Sequence, residues 1–170
     1  DIGTLVLQER STDEMALWRA SSGTISDVTD EDAEDQPAAV TSGIEAGLVT
    51  QTDYIAGSGS TSDILIHQVS ASGLEGVLAA TEESGATNQF VEALGTSINL
   101  TIEEADPGAN QDAKQLDLTS NNVTVIADGA NDTYFVLVNT GAVDLEDSDG
   151  SNPTSLPNDD DTELETNFTV

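Results

Sequence analysis

Thirty-three carboxylates stand against three basic side chains, Arg10, Arg19 and Lys114, in a chain of 170 residues. The resulting formal charge of −30 constrains the fold more than any motif does. In dilute buffer such a charge repels itself and opposes compaction. Concentrated salt relieves the problem, because the Debye length shrinks from ~8 Å at 0.15 M to ~3 Å at 1 M. It also strengthens apolar burial, so a modest core suffices. The acidic residues are spread from Asp13 to Glu165 with only local peaks, amid abundant Ser, Thr, Gly and Ala and few aromatics. An ordinary domain with an acidic tail would gather its charge in one block. The distribution therefore points to adaptation to high salt.

The same arithmetic removes several functional classes. Three cations cannot neutralise a run of phosphates, so nucleic acid is excluded as a partner. An anionic membrane surface would repel the chain, and no apolar stretch approaches the ~20 residues needed to span a bilayer. With no cysteine there are no disulfides, thiolate metal sites, iron–sulfur clusters or cysteine nucleophiles. His67 is the only histidine, so sites built from several imidazoles are excluded as well. The chain begins at Asp1 without a charged and apolar leader, and any targeting signal is expected to have been removed or to lie elsewhere.

High charge with low hydropathy also marks disorder, but the apolar content speaks for a folded domain. Val, Ile, Leu and Phe make up 40 of the 170 residues, above the ~20% below which disorder is the default. They cluster in strand-sized runs: Leu5-Val6-Leu7, Ile64-Leu65-Ile66 and Tyr134-Phe135-Val136-Leu137-Val138.

Periodicity and turn residues order these runs. Ile2 to Glu9 reads as a strand, Ser11 to Glu14 as a polar turn, and Met15 to Ala20 as the hairpin partner, with Leu17 and Trp18 on opposite faces. Residues 27–36 form an acidic loop closed by Pro37. Val40, Ile44 and Leu48 recur every fourth residue, which predicts a short helix ending near Gly47. Gly57 to Ser60 is a flexible connection before the strand Ile64 to Val69, and Gly73 to Ala80 and Thr87 to Leu94 read as helical turns. Further strands are predicted at Ser97 to Glu103, Gln115 to Leu118, Asn122 to Ala127, Thr133 to Asn139 and Glu163 to Val170, with a second acidic loop region near 144–162. About eight short strands predict a mainly β fold. The expected architecture is one domain over residues 1–170, an antiparallel β-sandwich of immunoglobulin-like type with two or three short helical turns in its connections.

Four sites match the Asn-X-Ser/Thr acceptor pattern for N-glycans: Asn99, Asn122, Asn131 and Asn167. Each must be exposed at a strand end or turn to be used; Asn131, close to Gly129, fits best, and Asn167 needs an outward side chain. The run Glu146 to Asn152 has the oxygen density of a calcium loop, making Asp147 and Asp149 candidate cation ligands beside Asp159, Asp160 and Asp161. The helix–loop–helix calcium pattern fails, because Leu145 holds the position of its first Asp. Diffuse association of Ca²⁺ or Mg²⁺ with solvated carboxylates is favoured over a defined cage. No other cofactor is implied. His67 lies on an apolar strand and reads as structural, and no serine sits in a Gly-X-Ser-X-Gly elbow. With so many carboxylates any pair arises by chance, so no active site is expected and the chain is read as non-enzymatic.

Several segments resemble a domain of haloarchaeal cell-surface, S-layer-like glycoproteins: Leu5 to Met15, Val69 to Leu78, Ala105 to Asn110, Asn131 to Val138 and Asn167 to Val170. The resemblance implies place more than chemistry. It implies an extracellular, cell-surface setting, β-rich modules, asparagine-linked glycans, and partners that are other surface modules or copies of the chain itself. A signal and an anchoring segment belong to such proteins and are not in this stretch, which is expected to be one module of a longer protein or a processed subunit. The first expectation for function is a structural envelope module. The alternative is a subunit of an extracellular filament or adhesive fibre, in which Glu163 to Val170 or Ile2 to Glu9 completes a neighbour's sheet.

Overall fold

The computed structural model describes residues 10–51, 54–57, 62–157 and 162–170. The predicted strand Ile2 to Glu9 and most of the Gly57 to Ser60 connection lie outside them. Ten strands, four α-helices and one 3₁₀ turn follow one another among the described residues. The strands are β1 (Ser11–Ser21), β2 (Thr50–Gln51), β3 (Asp63–Ser72), β4 (Asn99–Glu104), β5 (Gln115–Leu116), β6 (Val123–Asp128), β7 (Thr133–Asn139), β8 (Asp144–Glu146), β9 (Thr154–Ser155) and β10 (Leu164–Thr169). The helices are α1 (Ser22–Thr29), α2 (Gln36–Glu45), α3 (Leu74–Ala79) and α4 (Ala86–Ala93).

The strands form two five-stranded antiparallel sheets, in the orders β2-β1-β3-β7-β6 and β10-β4-β5-β8-β9. The predicted sandwich is therefore present, with an added layer. One face of the first sheet carries Leu65, Val69, Val125, Tyr134, Val136 and Val138 against Leu100, Ile102, Leu116, Leu145 and Phe168 of the second sheet. Leu74, Leu78 and Phe90 of α3 and α4 join this core, where the Phe90 and Phe168 rings stack with centroids 6.4 Å apart. The opposite face of the first sheet carries Ile64, Ile66, Ile126, Phe135 and Leu137, and α1 and α2 cover it with Ile25, Val28 and Val40. A strand buried on both faces reads as a continuous apolar run rather than as alternation. That is the physical meaning of Ile64-Leu65-Ile66 and of Tyr134 to Val138.

Several expectations are corrected. The polar turn at Ser11 to Glu14 is instead the start of β1, which pairs with β3 from Ser11↔Ser72 to Ser21↔Asp63. Its turn-like composition is accommodated by a bulge between Thr12 and Glu14. The acidic loop at 27–36 is shorter than expected, because α1 runs to Thr29 and α2 begins at Gln36. Ser21 caps α1 by accepting the Thr24 amide at 3.2 Å, and Pro37 opens α2. Among the described residues the expected short helical turns are present as four short helices. Helix α2 ends where the periodicity placed it, with Gly47 at φ 71°. Leu48, however, is 60% exposed, and Val49 takes the buried position. The left-handed turn at Gly47 rotates the chain, so the four-residue rhythm no longer applies. β2, β8 and β9, at two or three residues each, are too short to show a period in the sequence.

Candidate functional site

The four asparagines of the Asn-X-Ser/Thr motifs occupy three different environments. Asn122 is 6% exposed. Its Oδ1 accepts the Thr119 amide at 2.9 Å and its Nδ2 donates to the Asp117 carbonyl at 2.7 Å. Both ends of the amide thus fold the approach to β6, which is a structural task. Asn131 is exposed in the 3₁₀ turn Gly129–Asn131. Its Nδ2 donates to Asp128 Oδ2 at 2.7 Å, and the Thr133 hydroxyl donates to the Asn131 carbonyl at 3.1 Å. Asp132 between them is left-handed at φ 50°.

Asn99 and Asn167 are brought together. They lie on neighbouring strands, and the register sets Asn167 opposite Thr101 and Asn99 opposite Thr169. Leu100 and Phe168, the middle residues of the two acceptor motifs, face each other and are buried. Strand alternation therefore turns Asn99, Thr101, Asn167 and Thr169 to the outer face, where both asparagines are exposed. The sequence carried part of this signal, since an apolar centre between Asn and Thr sends both outward. The pairing itself joins residues far apart along the chain and had no local signature.

Asp147 and Asp149 share one turn after β8. Asp147 Oδ2 accepts from Asn152 Nδ2 at 2.7 Å and from Ser151 Oγ at 3.2 Å, while Asp149 Oδ1 accepts the Ser151 amide at 3.0 Å. Side-chain and backbone hydrogen bonds from Ser151 hold the Asp149 carboxyl below the usual carboxylate range. Lys114 reaches the same turn, its Nζ 3.2 Å from the Asn152 carbonyl. One oxygen of each carboxylate is thus engaged in holding the turn. Asp159, Asp160 and Asp161 lie outside the described residues. Among the described residues, no group of three or more His, Asp or Glu side chains is placed to hold a metal ion.

His67 is fully buried between the sheets, with Nε2 3.1 Å from Thr166 Oγ1 of β10. Its Nδ1 makes no hydrogen bond to a described residue. Desolvation pulls the imidazole pKa down to about 4, opposed more weakly by the Val136 backbone. The Tyr134 phenol, buried nearby in the same core, is pushed up to about 12, chiefly by desolvation and then by the charges of Glu75 and Asp132. The structural reading of His67 accords with this position. Thr140, also fully buried, carries no local signature in the sequence. Its hydroxyl lies 2.6 Å from the Ala56 carbonyl and 2.7 Å from that of Asp63. The Asp63 carboxylate accepts the Ala56 amide at 2.8 Å and faces Arg19 at 3.7 Å. Helix-like and strand-like periods carry no mark of such a node.

No family model matches the chain, and no solved structure matches it. Curated relatives do. A cell surface glycoprotein of Haloferax gibbonsii is 40% identical over 156 residues, covering 91% of this chain and 16% of the relative. Cell surface glycoproteins 1 and 2 of Haloarcula hispanica are 31% and 32% identical over 99% of this chain, which spans 19% and 18% of their lengths. The chain thus spans less than a fifth of each relative it matches. Over nearly its whole length, this chain is homologous to one segment of the cell surface glycoproteins of haloarchaea.

Proposed function

We propose that this chain is a non-catalytic structural module of a haloarchaeal extracellular surface glycoprotein, adapted to concentrated salt. The observation that carries the reading is homology along almost the entire domain to proteins of that name. The fold supports it with two cores and three layers, a rigid unit suited to bearing load. The surface supports the salt adaptation. Glu103 and Glu165 stand directly opposite each other on the exposed face of β4 and β10, an arrangement that is unfavourable unless screened. Only one ion pair, Arg19–Asp63, offsets the acidic excess among the described residues. Carboxylates hold water and loosely associated Ca²⁺ or Mg²⁺, and other surface modules or copies of this chain are the partners.

The filament alternative would lend β10 or the leading segment to a neighbour. β10 is already paired with β4 through six residue pairs and places Thr166 against His67. Donating it would open the core, which favours the self-contained module. The stretch of β1 that pairs with no described residue beyond its two-residue pairing with β2 carries a bulge and the charges of Asp13 and Glu14, features that discourage edge-to-edge pairing. Immunoelectron microscopy of intact cells tests the proposal. Label over the cell envelope is expected; label confined to the cytoplasm, or to detached fibres, would overturn it.

A further inference from the structure

We propose that Asn99 and Asn167 form a paired acceptor site for asparagine-linked oligosaccharide, making the outer face of β4 and β10 the sugar-bearing side of the module. The inference rests on the extracellular reading above and deepens it to named atoms. Its basis is the register: each asparagine lies across from the threonine of the other motif, about a local two-fold centred on Leu100 and Phe168. The two attachment points are diagonal cross-strand neighbours, roughly 7–8 Å apart, so they make one patch. Neither asparagine side chain hydrogen-bonds to a described residue, and both are exposed. In contrast, the amide of Asn122 is buried with both ends committed, and the Asn131 nitrogen is held by Asp128. β10 is the end strand of its sheet among the described residues, and sugar on this face would also stand beside that edge.

In each transfer the Asn Nδ2 bonds to the anomeric carbon of an oligosaccharide carried on a polyprenyl phosphate. The bond from that carbon to the phosphate oxygen breaks, its electron pair leaves with the phosphate, and the amide loses one proton to a base of the transferase. No oxidant or reductant is required. The face carrying these sugars stays turned to solvent, and contacts with neighbouring modules fall elsewhere on the domain.

The test is glycopeptide mapping by mass spectrometry on the full-length parent protein, purified from the envelope of a haloarchaeal host and cleaved at acidic residues. Peptides containing Asn99 and Asn167 are each expected to carry a glycan, and the Asn122 peptide none. Asn99→Gln and Asn167→Gln should each remove one glycan and leave the other. Thr101→Val and Thr169→Val should do the same with the asparagines intact, which a merely structural effect would not. Bare Asn99 and Asn167 in protein recovered from the cell surface would overturn the inference, as would a glycan on only one of them. Bare asparagines in protein that never leaves the cytoplasm would instead bring down the surface reading on which it stands.

Discussion

His67 and Thr140 show how single polar groups are handled inside this core. A fully buried imidazole stays neutral because ionising it away from water costs more than its contact to Thr166 and the Val136 backbone return. Its folded pKa of about 4 lies below the unfolded value of ~6.5. Between those limits the unfolded chain takes up a proton that the folded chain refuses. The stabilisation is therefore complete above about pH 6.5 and is lost as pH falls through the window, amounting to about 3 kcal/mol. In urea titrations at constant high salt, His67→Leu should lack this component, so that its stability relative to wild type improves by that amount from pH 7 to pH 4. An unchanged difference between the two proteins would show that the imidazole does not titrate in this way. Thr140 poses the opposite case, a hydroxyl shared between two carbonyls. Each carbonyl also keeps a backbone donor, Asp63 N at 3.1 Å and Thr140 N at 3.3 Å. Thr140→Val should therefore cost only about 1–2 kcal/mol, read as a lowered urea midpoint with an unchanged slope.

Pairing between elements decides what the exposed side chains mean. Glu103 and Glu165 are unremarkable in sequence, yet the β4–β10 register sets them face to face. Glu165→Lys converts a repulsive cross-strand pair into an attractive one and is expected to add about 0.5–1 kcal/mol at the lowest salt in which the chain stays folded. The gain should fade in multimolar KCl. Melting temperatures at the two salt concentrations check this, and a gain that persists undiminished in brine would point to packing rather than charge. The same register sets Asn99 and Asn167 together on the exposed face, whereas Asn131, the better candidate by turn composition, has its amide drawn to Asp128. Strand type was legible for β3, β6 and β7 from their apolar runs and for β4 and β10 from alternation, because each is long enough to display its pattern. Helix α1 has no legible period because Ser22 to Thr29 is mostly small and polar, and only Ile25 and Val28 are buried.

For the molecule as a whole, charge and core size must balance against the solvent. A net −30 on a three-layer domain predicts a steep dependence of folding on salt. Circular dichroism is expected to report loss of structure on dialysis from about 3 M to about 0.1 M KCl, where the Debye length grows to ~10 Å. Unchanged ellipticity and melting temperature across that range would refute the proposed adaptation. The sequence by itself determined the acidic surface, the β-rich class, the helix ends at glycine and the exclusion of thiol and multi-imidazole chemistry, because these follow from residue type and from periods of two to four residues. Only the tertiary structure decided that the first sheet is covered on both faces, that His67 and Thr140 are enclosed, that Asn122 is spent on its own loop, and that Asn99 and Asn167 stand together. Those outcomes depend on which distant strands become neighbours, and pairing of that kind is set by the burial of the whole chain rather than by any local stretch of it.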